Sequence, residues 1–354
     1  MLKKCLTFAL ILLIMSGAEA GTWSPELRIG ILSGFERVVL KVSAPCTITD
    51  AATGKVLGKA PADKKFAVNA DKLKVGAMEI RPETVLLQDL RTTIEGKEYY
   101  GGVRINKTNG KLDVISLVPV EEYLRGVVPK EMPALYPLEA LKAQTIAARS
   151  FAMKNRKRHE ADGFDLCATT HCQVYDGVAD FESVEWAVEE TRGEVLVFKD
   201  KLINASFHQD SGGITAGAEE IWSDAVPYLV SVKENFAAGT PWTIKVDAKD
   251  LDIGKLKSAK ISGKTPSGRV ATAQIVGDKK TLTLTGKELR AKFNLPSTLC
   301  NVKVDGDKLI FTGFGSGHGV GMSQRGARTY AEDARTYDKI LAHYYKGTNL
   351  KKLY

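Results

Sequence analysis

The sequence predicts an α+β fold in which helices are inserted between β-rich parts of the chain. Short alternating apolar runs, separated by Gly, Asn, Asp and Pro, predict a β-rich N-terminal region at 21–112. Helical periodicity then predicts a mixed helical core at 113–241, and strand patterns return as an inserted β-rich subdomain at 242–312. A glycine-rich turn and C-terminal helices at 313–354 are expected to complete the core.

The first twenty residues, MLKKCLTFALILLIMSGAEA, have the pattern of a secretory signal peptide. Lys3 and Lys4 precede an apolar run at 6–15, and the small residues Ala18 and Ala20 mark a cleavage site. That run is shorter than the roughly 20 apolar residues that span a bilayer. A retained N-terminal anchor is the alternative. The pattern predicts an exported protein of the periplasm or cell wall.

The chain carries 50 Lys and Arg against 42 Asp and Glu, a formal net charge of +8. Outside the cytoplasm this charge favours an anionic polymer such as cell wall, or a membrane surface, as the partner. No zinc-finger spacing or RNA-binding signature supports a nucleic-acid partner. The glycine-rich stretch matches neither the Rossmann fingerprint nor the P-loop, so no nucleotide partner is expected.

Two local patterns give the clearest predictions of elements. The Asn-Gly pair at 109–110 predicts a β-hairpin, because both residues readily adopt positive φ. The stretch PLEALKAQTIAARSFAMKNRKR predicts an amphipathic helix that begins at Pro137, with apolar positions repeating at three- and four-residue steps up to Ala152. Lys142 and Arg149 lie two turns apart on one flank of that stripe, a position that is usually solvated.

The cysteines allow two interpretations. Four follow the predicted cleavage site: Cys46, Cys167, Cys172 and Cys300. In an exported protein they could form disulfides, Cys167 with Cys172 and Cys46 with Cys300. Against this, His171 lies beside Cys172, and His159 lies eight residues before Cys167. Two cysteines and two histidines form a closed tetrahedral set that is typical of structural zinc, whereas catalytic zinc normally keeps an open position.

Glu131 lies in the stretch GVVPKEMPALYP, between Pro129 and Pro133. Because proline fixes its own φ and makes the preceding residue extended, Glu131 is expected on a stiff, non-helical turn. Such rigid presentation suits a general acid. The alternative is an exposed glutamate before the next helix, favoured there by the helix dipole.

The stretch GFGSGHGVGMSQRGA, at 313–327, places His318 on a backbone that can approach a ligand closely. It is interpreted either as a substrate-contact loop or as a tight structural turn. The stretch HQDSGG at 208–213 is like the sequence around serine-protease nucleophiles. A catalytic Ser211 would need a positioned His and Asp from elsewhere, so a turn is the simpler interpretation.

Several long stretches together resemble the stage II sporulation protein D (SpoIID) and LytB amidase-enhancer family. They are VPVEEYLRGVVPKEMPALYPLEALKAQTIAARSFA, CATTHCQVYDG, SGGITAGAEEIW, LTGKELRAKFNLPST and GFGSGHGVGMSQRGARTYA. They span roughly 112–354 in one order, whereas the β-rich N-terminal part matches only loosely. Family members commonly carry a glycine near AEDA, where this chain has Ala334.

The resemblance implies a lytic transglycosylase of peptidoglycan, acting best on glycan strands stripped of stem peptides. It implies that Glu131, in the EMP motif, is the catalytic acid. It also implies a zinc ion bound by two cysteines and two histidines, which match Cys167, Cys172, His171 and His159. His208 or His318 are the alternative fourth ligands. LytB-type relatives are instead described as stimulating a partner amidase.

A single carboxylate is sufficient for such an enzyme, because the 6-hydroxyl of the sugar itself attacks the anomeric carbon. The cleft is expected to be lined by five further side chains: Lys142, Gln144, Arg149, His318 and Gln324. A lysine or arginine among them would bind the lactyl carboxylate of muramic acid. The rival interpretations are a non-catalytic wall-binding or amidase-activating protein, a zinc-dependent amidase or peptidase, and a serine hydrolase.

Overall fold

The structure is a computed structural model that describes residues 24–71, 73–75, 78–80, 84–87, 91–235 and 239–354. The predicted signal peptide at 1–20 lies outside this part of the chain. The described residues form seven α-helices and twenty-four strands, which confirms the α+β fold class. None of these helices is long and apolar enough to cross a membrane.

The region before the first helix consists of strands. They are β1 (Glu26–Phe35), β2 (Arg37–Val42), β3 (Cys46–Asp50), β4 (Val56–Ala60), β5 (Lys65–Asn69), β6 (Leu73–Val75), β7 (Met78–Ile80), β8 (Thr84–Leu87), β9 (Arg91–Ile94), β10 (Lys97–Tyr100), β11 (Gly102–Thr108) and β12 (Lys111–Pro119). The Asn-Gly pair at 109–110 joins β11 to β12 with φ values of 51° and 74°, which confirms the predicted hairpin.

Helices and short strands alternate in the next part of the chain. They are α1 (Val120–Glu131), α2 (Leu138–Lys154), β13 (Leu166–Cys167), α3 (Glu182–Glu190), β14 (Glu194–Phe198), β15 (Lys201–Leu202), β16 (Phe207–His208) and α4 (Ala218–Trp222). Strands then return as predicted, interrupted by a short helix. They are β17 (Pro241–Asp247), β18 (Leu256–Lys264), β19 (Val270–Gly277), β20 (Thr281–Thr285), α5 (Gly286–Phe293), β21 (Cys300–Asp305) and β22 (Lys308–Phe314). The last elements are β23 (Met322–Ser323), α6 (Gln324–Glu332), α7 (Tyr337–Tyr344) and β24 (Asn349–Lys352).

Sheet pairing brings together segments that are distant in sequence. A seven-stranded sheet has the order β13-β1-β12-β11-β8-β3-β4, and a four-stranded sheet has the order β10-β9-β2-β5. β13 joins the larger sheet parallel to β1, so Cys167 lies at the edge of that sheet. β16 pairs in parallel with β23, so His208 lies beside Ser323. These two edges position much of the site described below.

The buried apolar residues of the described chain form two separate clusters. The larger one joins the N-terminal sheets to α1, α2, α3, α6 and α7. The smaller one takes its buried members from Ala248 to Phe311, with Ile253 and Leu289 among them. The segment from β17 to β22 therefore has an apolar core of its own.

Helix α2 is buried on all sides, which corrects the prediction of an amphipathic helix. All thirteen residues from 140 to 152 are buried. The reason is that α1, α3, α6, α7 and β14 pack around α2. The polar residues on this helix, including Gln144 and Arg149, are therefore interior groups that need partners inside the protein.

Arg149 finds its interior partner in Glu121 of α1, with which it forms an ion pair. Its Nε and Nη2 atoms lie 3.1 and 2.6 Å from the two carboxylate oxygens, and both side chains are at most 2% exposed. The backbone N–H of Gly193 and the hydroxyl of Tyr354 also donate to Glu121. This network joins α1 and α2 to the start of β14 and to the C-terminus.

The turn between α6 and α7 contains Ala334 at a φ of 59°. This is the left-handed region, in which an L-residue other than glycine is strained by about 1–2 kcal/mol. Ala334 in the AEDA stretch therefore adopts a turn geometry that favours glycine, and this lowers the stability of the fold.

Replacing Arg149 by methionine is expected to lower the free energy of unfolding by about 3–5 kcal/mol, because Glu121 would be left buried without its cation. Urea unfolding of the variant and the parent protein measures this loss. Lys339→Met is the matched control, since Lys339 makes an exposed ion pair with Asp338 that should contribute about 1 kcal/mol or less. Equal losses for the two variants would contradict a structural role for Arg149.

Candidate functional site

Glu131 is the last residue of α1, and not part of a non-helical turn as the sequence predicted. The helix continues through Pro129 because Val127 and Val128 are fully buried against the core, and this packing outweighs the cost of an internal proline. Met132 then becomes extended, at φ −133° and ψ 135°, as the residue before Pro133 must. Glu131 is therefore fixed at a helix end that stops abruptly.

The carboxyl group of Glu131 is half-buried and has one backbone partner. Val174 donates its N–H to the Oε1 atom of Glu131 over 2.9 Å. Burial raises the pKa of Glu131 above its ordinary value, and the Val174 hydrogen bond opposes this rise only in part. The carboxyl group can therefore hold a proton at a higher pH than a solvated glutamate.

Two cavities of about 600 and 570 Å³ meet at Glu131, and both have Glu131, Phe207 and His208 in their walls. The first, called here the aromatic cavity, is also lined by Phe151, Trp222, His318, His171 and Cys172. The second, called here the basic cavity, is also lined by Lys130, Arg325, Arg328, Tyr136, Gln324 and Asp210. Together they form a cleft that extends to both sides of the acid.

A larger cavity, of about 710 Å³, lies beside the other end of α1. Its carboxylates Glu122 and Glu185 share Arg125, and its Asp180 contacts Arg91. These three carboxylates are held by arginines and not left free to approach a substrate. The cleft at Glu131, where two cavities meet at one acid, is the better candidate for a catalytic site, although each of these two cavities is smaller.

The structure brings two of the five predicted cleft residues to the cleft surface, namely His318 and Gln324. Gln144 lies behind them, fully buried, and its Oε1 accepts from the Nε2 of Gln324 over 3.3 Å. Lys142 and Arg149 are not in the cleft walls. Arg149 is held by Glu121, as described above, and Lys142 pairs with Glu139 and Glu190. Their predicted role in binding substrate is corrected accordingly.

Two of the three histidines in the cleft walls, His318 and His208, are hydrogen-bonded groups whose pKa values burial lowers. Val320 donates its N–H to Nδ1 of His318 over 3.0 Å, and burial lowers the pKa of His318 to about 4. The carbonyl of Val320 accepts from Nδ1 of His208 over 3.1 Å, and burial keeps the pKa of His208 well below its ordinary value. His208 is a wall residue of both cavities that the sequence suggested only as an alternative metal ligand.

The glycine-rich stretch is both a tight turn and part of the cleft wall. A Cβ atom on Gly317 would lie 2.8 Å from the Cβ of His208, and Gly317 has a φ of 105°. Only glycine allows the backbone to pass His208 at this distance. Gly317 and His318 also line the aromatic cavity, so the two interpretations of this stretch are compatible.

The structure brings His159, Cys167, His171 and Cys172 together, with their donor atoms within 4.8 Å of one another. Nδ1 of His171 lies 3.3 Å from Nε2 of His159 and 3.6 and 3.7 Å from the two sulfur atoms. The other ring nitrogen of His159 contacts Asp162 over 2.8 Å, a carboxylate–histidine arrangement that is common behind metal ligands. These four donors form a cluster that fits a metal ion, and their types suit Zn²⁺.

The structure supports the two predicted disulfides less well than it supports a metal site. Cys167 and Cys172 both contact His171 within the cluster, and Cys46 and Cys300 belong to different apolar clusters. Burial alone would raise the pKa of the Cys167 thiol, but hydrogen bonds with Thr169, and then with His171 and Cys172, outweigh it and lower that pKa to about 6. Burial raises the pKa of Cys172 to about 11.

The cluster of four donors that could hold a metal ion is called here the metal cluster. It is linked to Glu131 through three consecutive residues. Cys172 is a cluster member, and Val174, two residues later, donates the hydrogen bond to Glu131. Gln173, between them, accepts from the hydroxyl of Tyr123 over 3.2 Å and donates to Ala148. The cluster therefore anchors the segment that holds the acid.

Comparison with known proteins gives the family. The model described as SpoIID, stage II sporulation protein, matches residues 108–198. Stage II sporulation protein D of Bacillus subtilis (strain 168) is 33% identical over 325 residues, which cover 84% of this chain and 88% of the relative. The chain belongs to the stage II sporulation protein D family.

Other similarities extend this result. An amidase enhancer of the same organism is 32% identical over 347 residues, covering 80% of this chain and 48% of the relative. Stage II sporulation protein D of Bacillus amyloliquefaciens is 35% identical over 262 residues, covering 66% of this chain and 75% of the relative. A domain of unknown function, DUF8618, matches residues 240–321. The SpoIID match includes Glu131 and the whole metal cluster, whereas His318 lies in the second match.

The sequence analysis did not single out several charged and aromatic side chains of the cleft walls, among them Lys130, Arg158, Trp222, Arg325 and Arg328. A sequence signal existed for Arg325 and Arg328, which lie three residues apart at the end of the glycine-rich stretch and directly after it. Ser211 is 1% exposed and donates to the buried carboxylate of Glu234, so it is not arranged as a nucleophile.

Replacing Cys172 by serine is expected to release bound zinc and to lower the Tm by about 10 °C, because a structural site would lose one of four ligands. Zinc content after gel filtration and thermal unfolding measure these effects. Cys300→Ala, which removes a thiol from the other apolar cluster, is the control and should leave the zinc content unchanged.

Loss of zinc together with a lower Tm is expected if the metal ion has only a structural role. A Cys172→Ser protein that stays fully folded, loses all activity and regains it with added zinc would instead give the metal a direct chemical role.

Proposed function

We propose that the protein is an exported peptidoglycan lytic transglycosylase, which cleaves the bond between N-acetylmuramic acid and N-acetylglucosamine. The observation that carries the proposal is Glu131, one half-buried carboxylic acid with a raised pKa, placed where two sugar-sized cavities meet. Membership of the stage II sporulation protein D family and the net charge of +8, which suits an anionic wall polymer, support it.

In this reaction Glu131 first donates its proton to the glycosidic oxygen as the bond between that oxygen and the anomeric carbon breaks. The resulting carboxylate then accepts the proton of the 6-hydroxyl of the muramic acid. That hydroxyl oxygen bonds to the anomeric carbon and closes a 1,6-anhydro ring. One group thus acts as acid and then as base, which a pKa raised toward the ambient pH allows.

The other carboxylate of the basic cavity, Asp210, is not suited to a second catalytic role. The backbone N–H groups of Gly212 and Thr240 donate to its two oxygens over 2.9 and 2.8 Å, and Arg325 donates to one of them. Burial alone would raise the pKa of Asp210, but these hydrogen bonds outweigh it and lower the pKa. Ordinary glycosidases need a second free carboxylate, whereas a lytic mechanism does not.

The metal cluster supports the same proposal. Four protein donors would fill the tetrahedral positions of Zn²⁺, so a bound zinc would serve as a structural clamp. A zinc-dependent amidase or peptidase would need an open fourth position. In this proposal the cluster fixes Val174, and Val174 orients the carboxyl group of Glu131.

Glu131→Gln is expected to abolish the formation of anhydro-ended fragments, because an amide cannot donate the proton. Mass spectrometry of products from purified, peptide-stripped glycan strands measures this for the parent protein and the variant. Glu182→Gln, an exposed position in α3 outside both cavities, is the control and should leave the products unchanged.

If folded, zinc-loaded parent protein makes no cleavage products, the proposed reaction is wrong. The alternative is then a non-catalytic protein that binds cell wall or activates an amidase, as the name of one relative, an amidase enhancer, suggests. Adding the protein to a cell-wall amidase and following release of stem peptides would test that alternative.

The pH dependence of stability tests the raised pKa of Glu131. The folded protein holds this proton more tightly than the unfolded chain, so the contribution of Glu131 to stability is present below its ordinary pKa of 4.5. It is lost as the pH rises through the folded pKa. Urea unfolding across this pH range should show a decline in the parent protein that is reduced in Glu131→Gln.

The pH dependence of the activity should be set by the carboxyl group of Glu131. The rate is expected to fall as the pH rises through the raised pKa, since only the protonated acid starts the reaction. A rate that rises across that range would contradict the role of Glu131 as general acid.

A further inference from the structure

The net positive charge of the chain is concentrated in one part of it. Residues 242–312, the inserted β-rich subdomain, contain 14 Lys and Arg against 7 Asp and Glu, a net charge of +7, whereas the rest of the chain has 36 against 35. Among the described residues, one ion pair involves this subdomain, that of Lys249 with Asp247 over 3.8 Å. Its other cations have no carboxylate partner in the described chain, which favours an anionic ligand.

The sheet of β17, β22 and β21 has one face on the smaller apolar cluster and the other face toward solvent. Ile244, Phe311 and Val302 lie opposite one another and pack in that cluster. Side chains alternate along a strand, so the rows on either side of this one point away from the core. Two rows of this open face contain no carboxylate: Thr243–Thr312–Asn301 and Lys245–Ile310–Lys303.

A recess of about 320 Å³ lies at the end of the open face where β17 begins and β22 ends. It is called here the insert recess, and its size is sufficient for one small ligand group. None of its described wall residues is a carboxylate. The wall combines polar groups of the open face with two aromatic rings and one cation: Thr243, Thr312, Asn301, Trp242, Phe314 and Lys264.

Two groups in the wall of the insert recess are hydrogen-bond donors that a ligand could use. Nζ of Lys264 donates to Oδ1 of Asn301 over 3.3 Å and makes no ion pair with a described residue. The indole N–H of Trp242 is buried and has no hydrogen-bond partner in the described chain. A Cβ atom on Gly313 would lie 2.4 Å from the Trp242 ring, so this glycine allows the indole to lie against β22. An unpaired buried donor is unfavourable, and a ligand oxygen would offset that cost.

The lysines around the insert recess suit a polymer with closely spaced negative charges. Lys245 follows Thr243 by two residues on β17, and Lys303 follows Asn301 by two residues on β21. Successive rows on one face are about 7 Å apart, and the outer strands of this sheet are about 10 Å apart. A phosphodiester chain carries a charge in every repeating unit, whereas a peptidoglycan strand carries a lactyl group on every second sugar only. Lysine binds phosphate well as a point charge.

The open face does not suit a membrane surface. Among the described residues of this face, Phe314 is the only large apolar side chain that is well exposed, at 41%, and Ile310 is half-buried. Binding to a bilayer surface needs a larger apolar area that enters the boundary between headgroups and acyl chains. The combination of hydroxyl, amide and ammonium groups fits a hydrated, charged polymer better.

We propose that the insert recess binds a phosphate group of an anionic phosphodiester polymer of the cell envelope. Lys264 and the indole of Trp242 donate to the phosphate oxygens, and Lys245 and Lys303 pair with the phosphates that follow along the polymer. Thr240 lines the basic cavity and the next residue lines the insert recess, so the bound polymer lies beside the cleft of Glu131. The inserted subdomain thereby holds the protein at the wall, whatever reaction the cleft performs.

Binding of poly(glycerol phosphate) to the full chain tests the proposal. Calorimetry compares this polymer with peptide-stripped glycan strands and with phosphatidylglycerol vesicles, and every protein carries Glu131→Gln to prevent cleavage. We expect the tightest binding to poly(glycerol phosphate). Lys264→Gln should weaken it about tenfold, because a charge-assisted hydrogen bond is lost. Trp242→Phe keeps an aromatic ring and removes the N–H, so it should weaken binding about fivefold.

Lys287→Gln is the matched control, because it removes one exposed lysine of the same subdomain from α5, outside the insert recess. Its effect on binding should be less than about twofold. Equal losses for Lys264→Gln and Lys287→Gln would mean that only the diffuse charge of the subdomain matters, which overturns the recess as a site. Tighter binding to the vesicles or to the glycan strands than to poly(glycerol phosphate) overturns the proposed ligand.

This proposal and the proposed reaction can fail separately. If the parent protein forms no anhydro ends but binds poly(glycerol phosphate) through Lys264, the reaction is wrong and the binding site stands. If anhydro ends form and poly(glycerol phosphate) does not bind, only the binding site is wrong.

Discussion

The position of the acid depends on the ion pair between Arg149 and Glu121, which fixes α1 against the buried helix α2. A buried ion pair adds little net stability over an apolar pair, but it is costly to break, so it favours one arrangement of the two helices. Glu121 also accepts from Gly193 and Tyr354, which ties the same arrangement to β14 and the chain end. Because Glu131 is the last residue of α1, its location follows from this constraint.

The opposite side of Glu131 is fixed by the metal-cluster segment. Cys167 lies on β13 at the edge of the seven-stranded sheet, and Cys172 lies two residues before Val174, which donates to the acid. The N-terminal sheet, the cluster and the carboxyl group are thus connected within a few residues. Because of this connection, a metal ion held by the four donors would influence the position of Glu131.

The sequence predicted those features that local chemistry determines. The Asn-Gly hairpin, the helix after Pro137 and the closeness of Cys167, His171 and Cys172 all follow from neighbouring residues. The fold class followed from the change of hydrophobic period along the chain. Together these predictions covered most elements and the four donors of the metal cluster.

The errors have a common physical cause, which is tertiary packing. Polar residues on α2 looked solvated because the sequence does not show that five other elements surround this helix. The sequence therefore did not show that Lys142 and Arg149, which were placed in the cleft once the family resemblance was considered, have partners inside the protein. Glu131 was assigned to a loop because the burial of Val127 and Val128, which carries α1 through Pro129, is not visible in a local pattern.

The two cavities of the cleft differ in the side chains that line them. His208 and His318 are kept neutral by their surroundings, so they add hydrogen-bonding capacity without positive charge. On the other side the cations are arginines, which stay charged wherever they lie, and a lysine that remains 40% exposed. Arg158 also lines the aromatic cavity, so the two halves differ in their aromatic and basic side chains and not in the presence of charge alone. Glu131, whose pKa burial raises, lies in the walls of both halves.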